Sequence, residues 1–441
     1  MQAAGLLSGH GTVVATGLLL ALCMGLWATG LVAEIVTALL FFCTAMLLRL
    51  APAATVFSGF ASSAFWLVLG GMVVGLAMTR TGLGDRLARA LSGRMPGSYA
   101  GFIAGLVALA FVLSFVMPSN LGRIALLVPV VLVLCDHVGL VDGRPGRIGA
   151  VLAVGLATPL LSAAILPANV PNLVMAGTAE VQYGLHIAYL PYLVLHAPVL
   201  ALVKGTLVVA AVLWLFPDRL DPAAEDTAAV PREPLKPAER RLAIVLGLTL
   251  GLWVTDSIHH IAPAWIGFAA ALVCLMPRIG VLGPEAFGAV NLRTCFYVAA
   301  LLGLVATVNE TGLGASLGHA LLGLAPLRPD APFQNFGVLT GLAALLAVVA
   351  TANGAPALYT ALAGEMSRAS GLSLDDVVMA QVVGYSSLFL PYQAPPIILT
   401  MHLGGIRLLD ATRLTALVGA ASLIIVTPLD YLWWQTLGRL S

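Results

Sequence analysis

Apolar runs of the length that crosses a lipid bilayer follow one another along nearly the whole chain. They lie near residues 12–30, 32–50, 63–80, 146–178, 190–216, 239–257, 262–281, 292–310, 374–404 and 412–437. A helical crossing needs about 20 apolar residues, and lipid accepts only elements that satisfy their own backbone hydrogen bonds. The composition agrees, since 60% of the 441 residues are hydrophobic and 9% are charged. The sequence predicts an all-α polytopic protein that is surrounded by membrane lipid and binds no nucleic acid.

Two further apolar runs are interrupted at their centres by polar residues and helix breakers. The first, residues 99–137, has Pro118, Ser119 and Asn120 at its midpoint, and the second, residues 335–370, contains "ATANGAPA". The first run is nearly twice as long as one crossing needs, and arginines flank it on both sides. Irregular backbone at membrane depth is tolerated where it lines a wet cavity. We therefore expect each run to form a re-entrant hairpin whose tip lies within the membrane.

The two longest apolar runs contain prolines and amides that interrupt a helix. "ILPANVPN" occupies residues 165–172 of the run 146–178, and "FLPYQAPP" occupies residues 389–396 of the run 374–404. Proline lacks the N–H group that a helix needs, so each run should break there. A break leaves free carbonyl groups, which suit a cation such as Na⁺, and free N–H groups, which suit an anion. One hairpin tip and one broken span would thus form each of two half-sites.

An internal repeat relates the two halves of the chain. "MTRTGLGDRLARAL" (78–91) aligns without gaps with "VNETGLGASLGHAL" (308–321), Asn120 falls opposite Asn353 with a small shift, and "LPANVPNLVMAG" (166–177) falls opposite "LPYQAPPIILTM" (390–401). The first repeat covers residues 1–216, with scaffold spans within 12–80, hairpin 99–137 and broken span 146–178. The second covers residues 239–441, with hairpin 335–370 and broken span 374–404. Each has an odd number of full crossings, so the second is inverted, which is typical of secondary transporters.

The distribution of basic residues predicts the orientation in the membrane. Fifteen of the 21 lysines and arginines fall on the face that the chain reaches after its first span: Arg80, Arg86, Arg89, Arg94, Arg144, Arg147, Arg219, Arg232, Lys236, Arg240, Arg241, Arg278, Arg293, Arg407 and Arg413. Basic loops remain in the cytoplasm, so this face and the linker 217–238 are predicted to be cytoplasmic and both termini to be outside. The basic stretch "TGLGDRLARALSGRMP" (81–96) is predicted to lie along that surface as a helix.

Three stretches resemble a known family of carriers. "PSNLGRIALLVPV" is similar to the serine-asparagine-threonine hairpin motif of the divalent anion/sodium symporters, "ANVPNLVMAG" to their broken helix, and "AFWLVLGGMVVGLAMTRTGLGDRLA" to their scaffold helix and horizontal arm. The resemblance extends over essentially the whole chain. It implies an elevator-type homodimer of the bacterial inner membrane that moves a small anion, a di- or tricarboxylate or a sulfate-like ion, coupled to Na⁺.

The resemblance also implies site residues, although several motif positions differ here. Substrate contacts are expected from Ser119, Asn120, Arg123, Asn169, Asn353, Gly354, Gln393, Ala394 and Pro395, and Na⁺ contacts from Ser119, Asn120, Ala168, Thr351, Asn353 and Tyr392. The family's motif threonine is replaced by Leu121 and Gly354. From the residues alone, Ser119 can also cap a helix, and Arg123 can contact either an anionic substrate or the backbone of its own hairpin.

These features predict a Na⁺-coupled secondary active transporter of a small divalent or organic anion. The alternatives are an H⁺-coupled or exchanging anion transporter, or an antiporter of the same superfamily. An intramembrane enzyme would need a nucleophile with its base or a metal motif, and no catalytic residue is predicted. A channel is disfavoured, because inverted repeats with closed hairpins favour alternating access.

Overall fold

The computed structural model describes residues 9–29, 31–84, 86, 97–220, 234–314 and 326–440. Regular secondary structure in these ranges is helical, and six helices are long and apolar enough to cross a membrane. The prediction of an all-α polytopic membrane protein is confirmed. Most of the expected surface helix 81–96 and most of the linker 217–238 lie outside the described residues.

The first half of the chain contains nine of the helices discussed below. Their bounds are α1 Gly9–Thr29, α2 Glu34–Leu47, α3 Ser63–Thr81, α4 Tyr99–Ser114, α5 Asn120–His137, α6 Pro145–Leu161, α7 Val170–Tyr183, α8 Tyr189–His196 and α9 Lys204–Leu215. A π-helical segment, Ala197–Val203, makes α8 and α9 one continuous rod. Short helical turns at Ala53–Val56 and Ser58–Ala61 precede α3.

The second half of the chain contains the other nine helices discussed below. Its bounds are α10 Pro237–Val254, α11 Pro263–Leu275, α12 Arg293–Glu310, α13 Pro332–Ala361, α14 Ala363–Ser370, α15 Leu374–Tyr385, α16 Pro395–Gly404, α17 Leu408–Ala421 and α18 Thr427–Thr436. A π-helical segment, Ser422–Val426, joins α17 to α18. Short turns at Asp256–His259 and Pro284–Ala289 flank α11.

Local sequence explains where these helices begin and end. The hydroxyl oxygens of Ser62, Ser98 and Ser119 accept hydrogen bonds from backbone N–H groups in the first turns of α3, α4 and α5. Gly82 and Gly184 end α3 and α7 in the left-handed conformation, which costs glycine little.

All four expected interruptions are present. The run 99–137 breaks between Ser114 and Asn120, and the run 146–178 breaks between Leu161 and Val170. In the second half the run 374–404 breaks between α15 and α16, while α13 has non-helical backbone at Thr351, with φ 62° and ψ 165°. A residue other than glycine is strained at positive φ, so the packing around Thr351 must hold this backbone conformation.

Close backbone contacts join α12 to the short turns that precede α3. A Cβ atom added at Gly303 would lie 2.1 Å from the carbonyl oxygen of Val56, which is backbone and cannot move aside. Gly303→Ala should therefore lower the free energy of unfolding by about 1–3 kcal/mol, the usual cost of overpacking. Thermal unfolding in detergent measures this effect. Gly247→Ala on α10 is the control, because nothing lies within 4 Å of its added Cβ; an equal loss there would contradict the prediction.

An ion pair holds the end of α9 against the start of α6. Arg144 binds Asp218, and the backbone N–H of Gly146 donates to Asp218 at 2.8 Å. Burial raises the pKa of Asp218, but hydrogen bonds from Arg144 and the amides of Arg219 and Gly146 outweigh burial and bring the pKa below its ordinary value. The stabilisation from this carboxylate is thus present above the ordinary pKa and is lost as the pH falls through the folded value.

Candidate functional site

A cavity that is partly open to solvent lies where the four helix breaks meet. Each break contributes to its wall: Pro118, Ser119, Asn120 and Leu121 from the first; Pro167, Asn169 and Val170 from the second; Ala352 and Asn353 from the third; and Ser386, Leu388, Ala394 and Pro395 from the fourth. The backbone breaks at buried positions, and polar side chains are concentrated there. This is the arrangement that small-molecule sites show, an apolar cavity with a few convergent polar groups.

The polar side chains of the first half form one connected network. The amide Nδ2 of Asn120 donates to Asn169 Oδ1 at 2.8 Å, and the hydroxyl of Ser162 donates to Asn120 Oδ1 at 3.1 Å. Asn169 Nδ2 donates in turn to the carbonyl oxygen of Pro159 at 3.2 Å. Ser119 caps α5 through the N–H of Gly122 at 3.1 Å. The tip of the first break is therefore held to the broken helix by side-chain hydrogen bonds.

Arg123 is fully buried one turn beyond this tip. Its guanidinium donates to the carbonyl oxygen of Met117 at 2.7 Å and to that of Ala168 at 3.2 Å. It also donates to Asn120 Oδ1. These acceptors belong to both breaks of the first half, so the positive charge of Arg123 sits directly behind the cavity wall.

The second half has a looser polar arrangement. Asn353 is half-buried on the cavity wall, and its side-chain amide makes no hydrogen bond within the described part of the chain. Gln393 is buried, and its Oε1 accepts from the N–H groups of Phe389 and Leu390 at 2.7 and 2.8 Å. Tyr392 donates its hydroxyl to the carbonyl oxygen of Val348 at 2.5 Å. The Nε2 of Gln393 is also without a partner in the described residues, but Gln393 is not on the cavity wall, so Asn353 is the wall residue of this half whose amide is available to a bound molecule.

The opposite wall comes from helices outside the breaks. Leu67 and Gly71 of α3 and Thr294 and Tyr297 of α12 line it, together with Glu34 at the start of α2. A Cβ atom added at Gly71 would lie 3.1 Å from the Cβ of Pro118. The absence of a side chain at this position allows the first tip to approach α3 closely.

The structure brings half of the expected site residues to the cavity wall: Ser119, Asn120, Asn169, Asn353, Ala394 and Pro395. The others are Arg123, Ala168, Thr351, Gly354, Tyr392 and Gln393; none of these is on the wall. Ala168 contributes its carbonyl oxygen to Arg123, and a Cβ at Gly354 would face Met24 of α1. Gln393 satisfies backbone groups of its own break instead of facing a ligand.

Several residues on or next to the cavity wall were not predicted from the sequence. Ser386 is on the cavity wall, and Ser162 binds Asn120; each stands four residues before the Leu-Pro pair of its broken span. The shared register of these serines in the repeat is the signal that could have identified them. Tyr297 and Thr294 gave no such signal, because they lie within an otherwise ordinary apolar span.

Comparison with known proteins agrees with this architecture. Residues 7–440 match the family described as "Sodium:sulfate symporter transmembrane region". The protein belongs to this family. It is a transporter, as are the named relatives within the family, and not an enzyme.

Named relatives in this family include carriers that exchange two anions. The chain is 24% identical to the "L-tartrate/succinate antiporter" of Escherichia coli strain UTI89, over 85% of this chain and 79% of that protein. It is 25% identical to the protein of the same name from Shigella flexneri, with the same coverage. A "Membrane protein" of Cupriavidus necator is 28% identical over 60% of this chain, and the match spans 50% of that relative's length.

Proposed function

We propose that this protein is an antiporter that exchanges small dicarboxylates, of the succinate and tartrate class, without a requirement for Na⁺. The observation that carries the proposal is the position of Arg123. Its guanidinium binds Asn120 Oδ1 and the carbonyl oxygen of Ala168, and both residues were expected to bind Na⁺. A fixed cation therefore uses the oxygen atoms that a sodium ion would need in the first half-site.

The same cation favours exchange over one-way transport. Arg123 is fully buried, and the contacts described above pair it with dipoles and not with an acid. An uncompensated charge costs several kcal/mol to move through a low-dielectric interior. One carboxylate group of a bound dicarboxylate pairs with this charge, so the loaded site crosses the membrane more readily than the empty site. Obligate exchange follows from that difference.

We also propose how the helices are arranged and how they move during this exchange. The two halves form inverted repeats, and the runs 99–137 and 335–370 form re-entrant hairpins. Hairpins and broken helices move together past the scaffold helices α3 and α12 in a homodimer of the bacterial inner membrane, with the basic face in the cytoplasm. Leu67 and Leu173 line both the central cavity and a second one near Asp256. We propose that these leucines close the outer side and that the cavity opens toward the cytoplasmic ends of α2 and α12.

Counterflow in proteoliposomes tests the function. Vesicles that contain the purified protein and unlabelled succinate or tartrate should accumulate radiolabelled succinate from outside. We expect uptake at least tenfold above that of vesicles without internal anion, and equal rates in sodium and choline media.

Two outcomes would contradict the proposal. Accumulation into anion-free vesicles under an imposed Na⁺ gradient would show sodium symport, and equal uptake with and without internal dicarboxylate would exclude obligate exchange. Sulfate loaded inside the vesicles provides the control for a doubly charged anion without carboxylates.

A further inference from the structure

A second group of charged residues is buried behind the cavity wall, and the proposed function does not use it. Lys204 begins α9 after the π-helical segment, and its ammonium donates to the carbonyl oxygen of Ser386 at 3.0 Å and to its hydroxyl at 2.8 Å. Ser386 follows the C-terminal end of α15 and lines the cavity. The positive charge thus lies at the negative end of a helix dipole, and Ser386 separates it from the cavity.

Asp430 of α18 is the acidic member of this group. It is fully buried, and neither of its carboxylate oxygens has a hydrogen-bond partner in the described part of the chain. It interacts electrostatically with Lys204, whose ammonium donates instead to Ser386. A buried carboxylate without hydrogen bonds is poorly stabilised in its charged form, and the positive charge of Lys204 is what favours that form in the empty protein.

The surroundings of Asp430 are polar and titratable on several sides. Tyr192 of α8 interacts electrostatically with Asp430 and with Tyr385 of α15, and the ring of His196 packs against Tyr192 and Trp434. Arg439 comes from the chain after α18, and its guanidinium lies 5.3 Å from the ring centre of Trp434. Both ring nitrogens of His196 and the indole nitrogen of Trp434 are buried without partners in the described residues. This group can accommodate a change of charge without contact with lipid.

The charges of the fully buried side chains set the net charge of the site with and without an anion. Leaving histidine aside, Arg123, Lys204 and Asp430 are the charged side chains with 0% exposure in the described residues. Their formal charges leave one net positive charge, and a dicarboxylate with two negative charges turns this into one net negative charge. One added proton brings the loaded site to zero, which is the charge that crosses a membrane at least cost.

We propose that Asp430 takes up one proton when a dicarboxylate binds and releases it when the dicarboxylate leaves. The carboxylate becomes a carboxylic acid, the proton comes from the water that the cavity admits, and Lys204 remains a cation on Ser386. The inference rests on the proposed dicarboxylate exchange. It predicts that lowering the pH strengthens dicarboxylate binding, by up to tenfold per pH unit, because binding and proton uptake are linked.

Calorimetric titration of the purified protein with succinate measures the number of protons taken up on binding. Titrations at one pH in phosphate and in Tris, which differ in ionisation enthalpy, should show about one proton taken up per succinate bound. Asp430→Asn should bind succinate with no uptake, and its affinity should lose the pH dependence of the wild type. Asp410→Asn is the matched control, because Asp410 is a carboxylate paired with Arg407 at the start of α17; it should keep the wild-type uptake.

The outcomes separate this inference from the proposed function. Wild-type binding with no proton uptake overturns the inference even if Asp430→Asn fails to fold, and so does normal uptake in Asp430→Asn, which would place the proton on His196 or elsewhere. In both cases the wild type would still show succinate counterflow. Absence of wild-type counterflow would instead overturn the proposed function, and the inference with it.

Discussion

Arg123→Gln is expected to lower succinate exchange at least 100-fold. The substitution removes the positive charge behind the cavity wall and the fork that joins Met117, Asn120 and Ala168. Two buried carbonyl groups then lose their donor, at about 1–3 kcal/mol each, so the thermal stability of the variant should fall as well. Counterflow rates, measured beside thermal unfolding, separate these two effects.

A second variant, Arg123→Lys, shows whether the charge or the geometry of Arg123 matters. It keeps a cation but cannot bind the three acceptors as a planar fork, so an intermediate rate is expected. In Arg123→Gln the oxygen atoms of Asn120 and Ala168 become free, and the residual transport should be stimulated by Na⁺. Unchanged exchange in Arg123→Gln would contradict both the exchange mechanism and the role of this residue.

Sequence patterns predicted the positions of all four helix breaks, because prolines and amides inside apolar runs leave few other conformations. They also predicted Ser119 as a cap or a site residue; the cap on α5 is confirmed, and the residue lies on the cavity wall. Helix ends were predicted to within a few residues; for example, the expected span 63–80 is α3, Ser63–Thr81.

The orientation of side chains within a break could not be predicted in the same way. Gln393 and Asn169 occupy matching positions in the repeat, yet Gln393 turns back to the N–H groups of Phe389 and Leu390, while Asn169 faces the cavity and binds Asn120. The longer side chain of glutamine can reach its own backbone within one turn. Repeat symmetry therefore identifies which positions are special but does not say which of them contacts a ligand.

Contacts between distant segments were likewise outside the reach of sequence patterns. Lys204 and Ser386 lie in different halves of the chain and have no shared motif, and only the packing of α9 against the second half brings them together. Arg123 was left with two possible roles. Its hydrogen bonds show the contact with the backbone, and the charge that remains is the basis of the proposed interaction with the anion.

The two equivalent asparagines of the repeat should respond differently to replacement by alanine. Asn120 binds Arg123, Asn169 and Ser162, whereas the amide of Asn353 has no hydrogen bond in the described residues. Asn120→Ala should abolish exchange and also lower the thermal stability, because three side chains lose a partner. Asn353→Ala should weaken succinate binding at least tenfold and leave the stability of the anion-free protein unchanged.

This difference arises because Asn120 already belongs to a hydrogen-bond network in the empty protein, whereas the side-chain amide of Asn353 has no hydrogen-bond partner in the described residues until a ligand binds. A group whose hydrogen bonds form only with the ligand contributes to binding and adds nothing to the stability of the empty protein. Thermal unfolding with and without succinate measures both quantities, since at one succinate concentration a ligand that binds more weakly raises the unfolding temperature less. Gln334→Ala removes an exposed amide near the start of the same helix, α13. Its hydrogen bond to the carbonyl oxygen of Pro326 is exposed to solvent and contributes little, so the variant should keep both the stability and the binding of the wild type. Loss of stability in Asn353→Ala, or wild-type binding in that variant, would show that Asn353 is not the available ligand group of the second half.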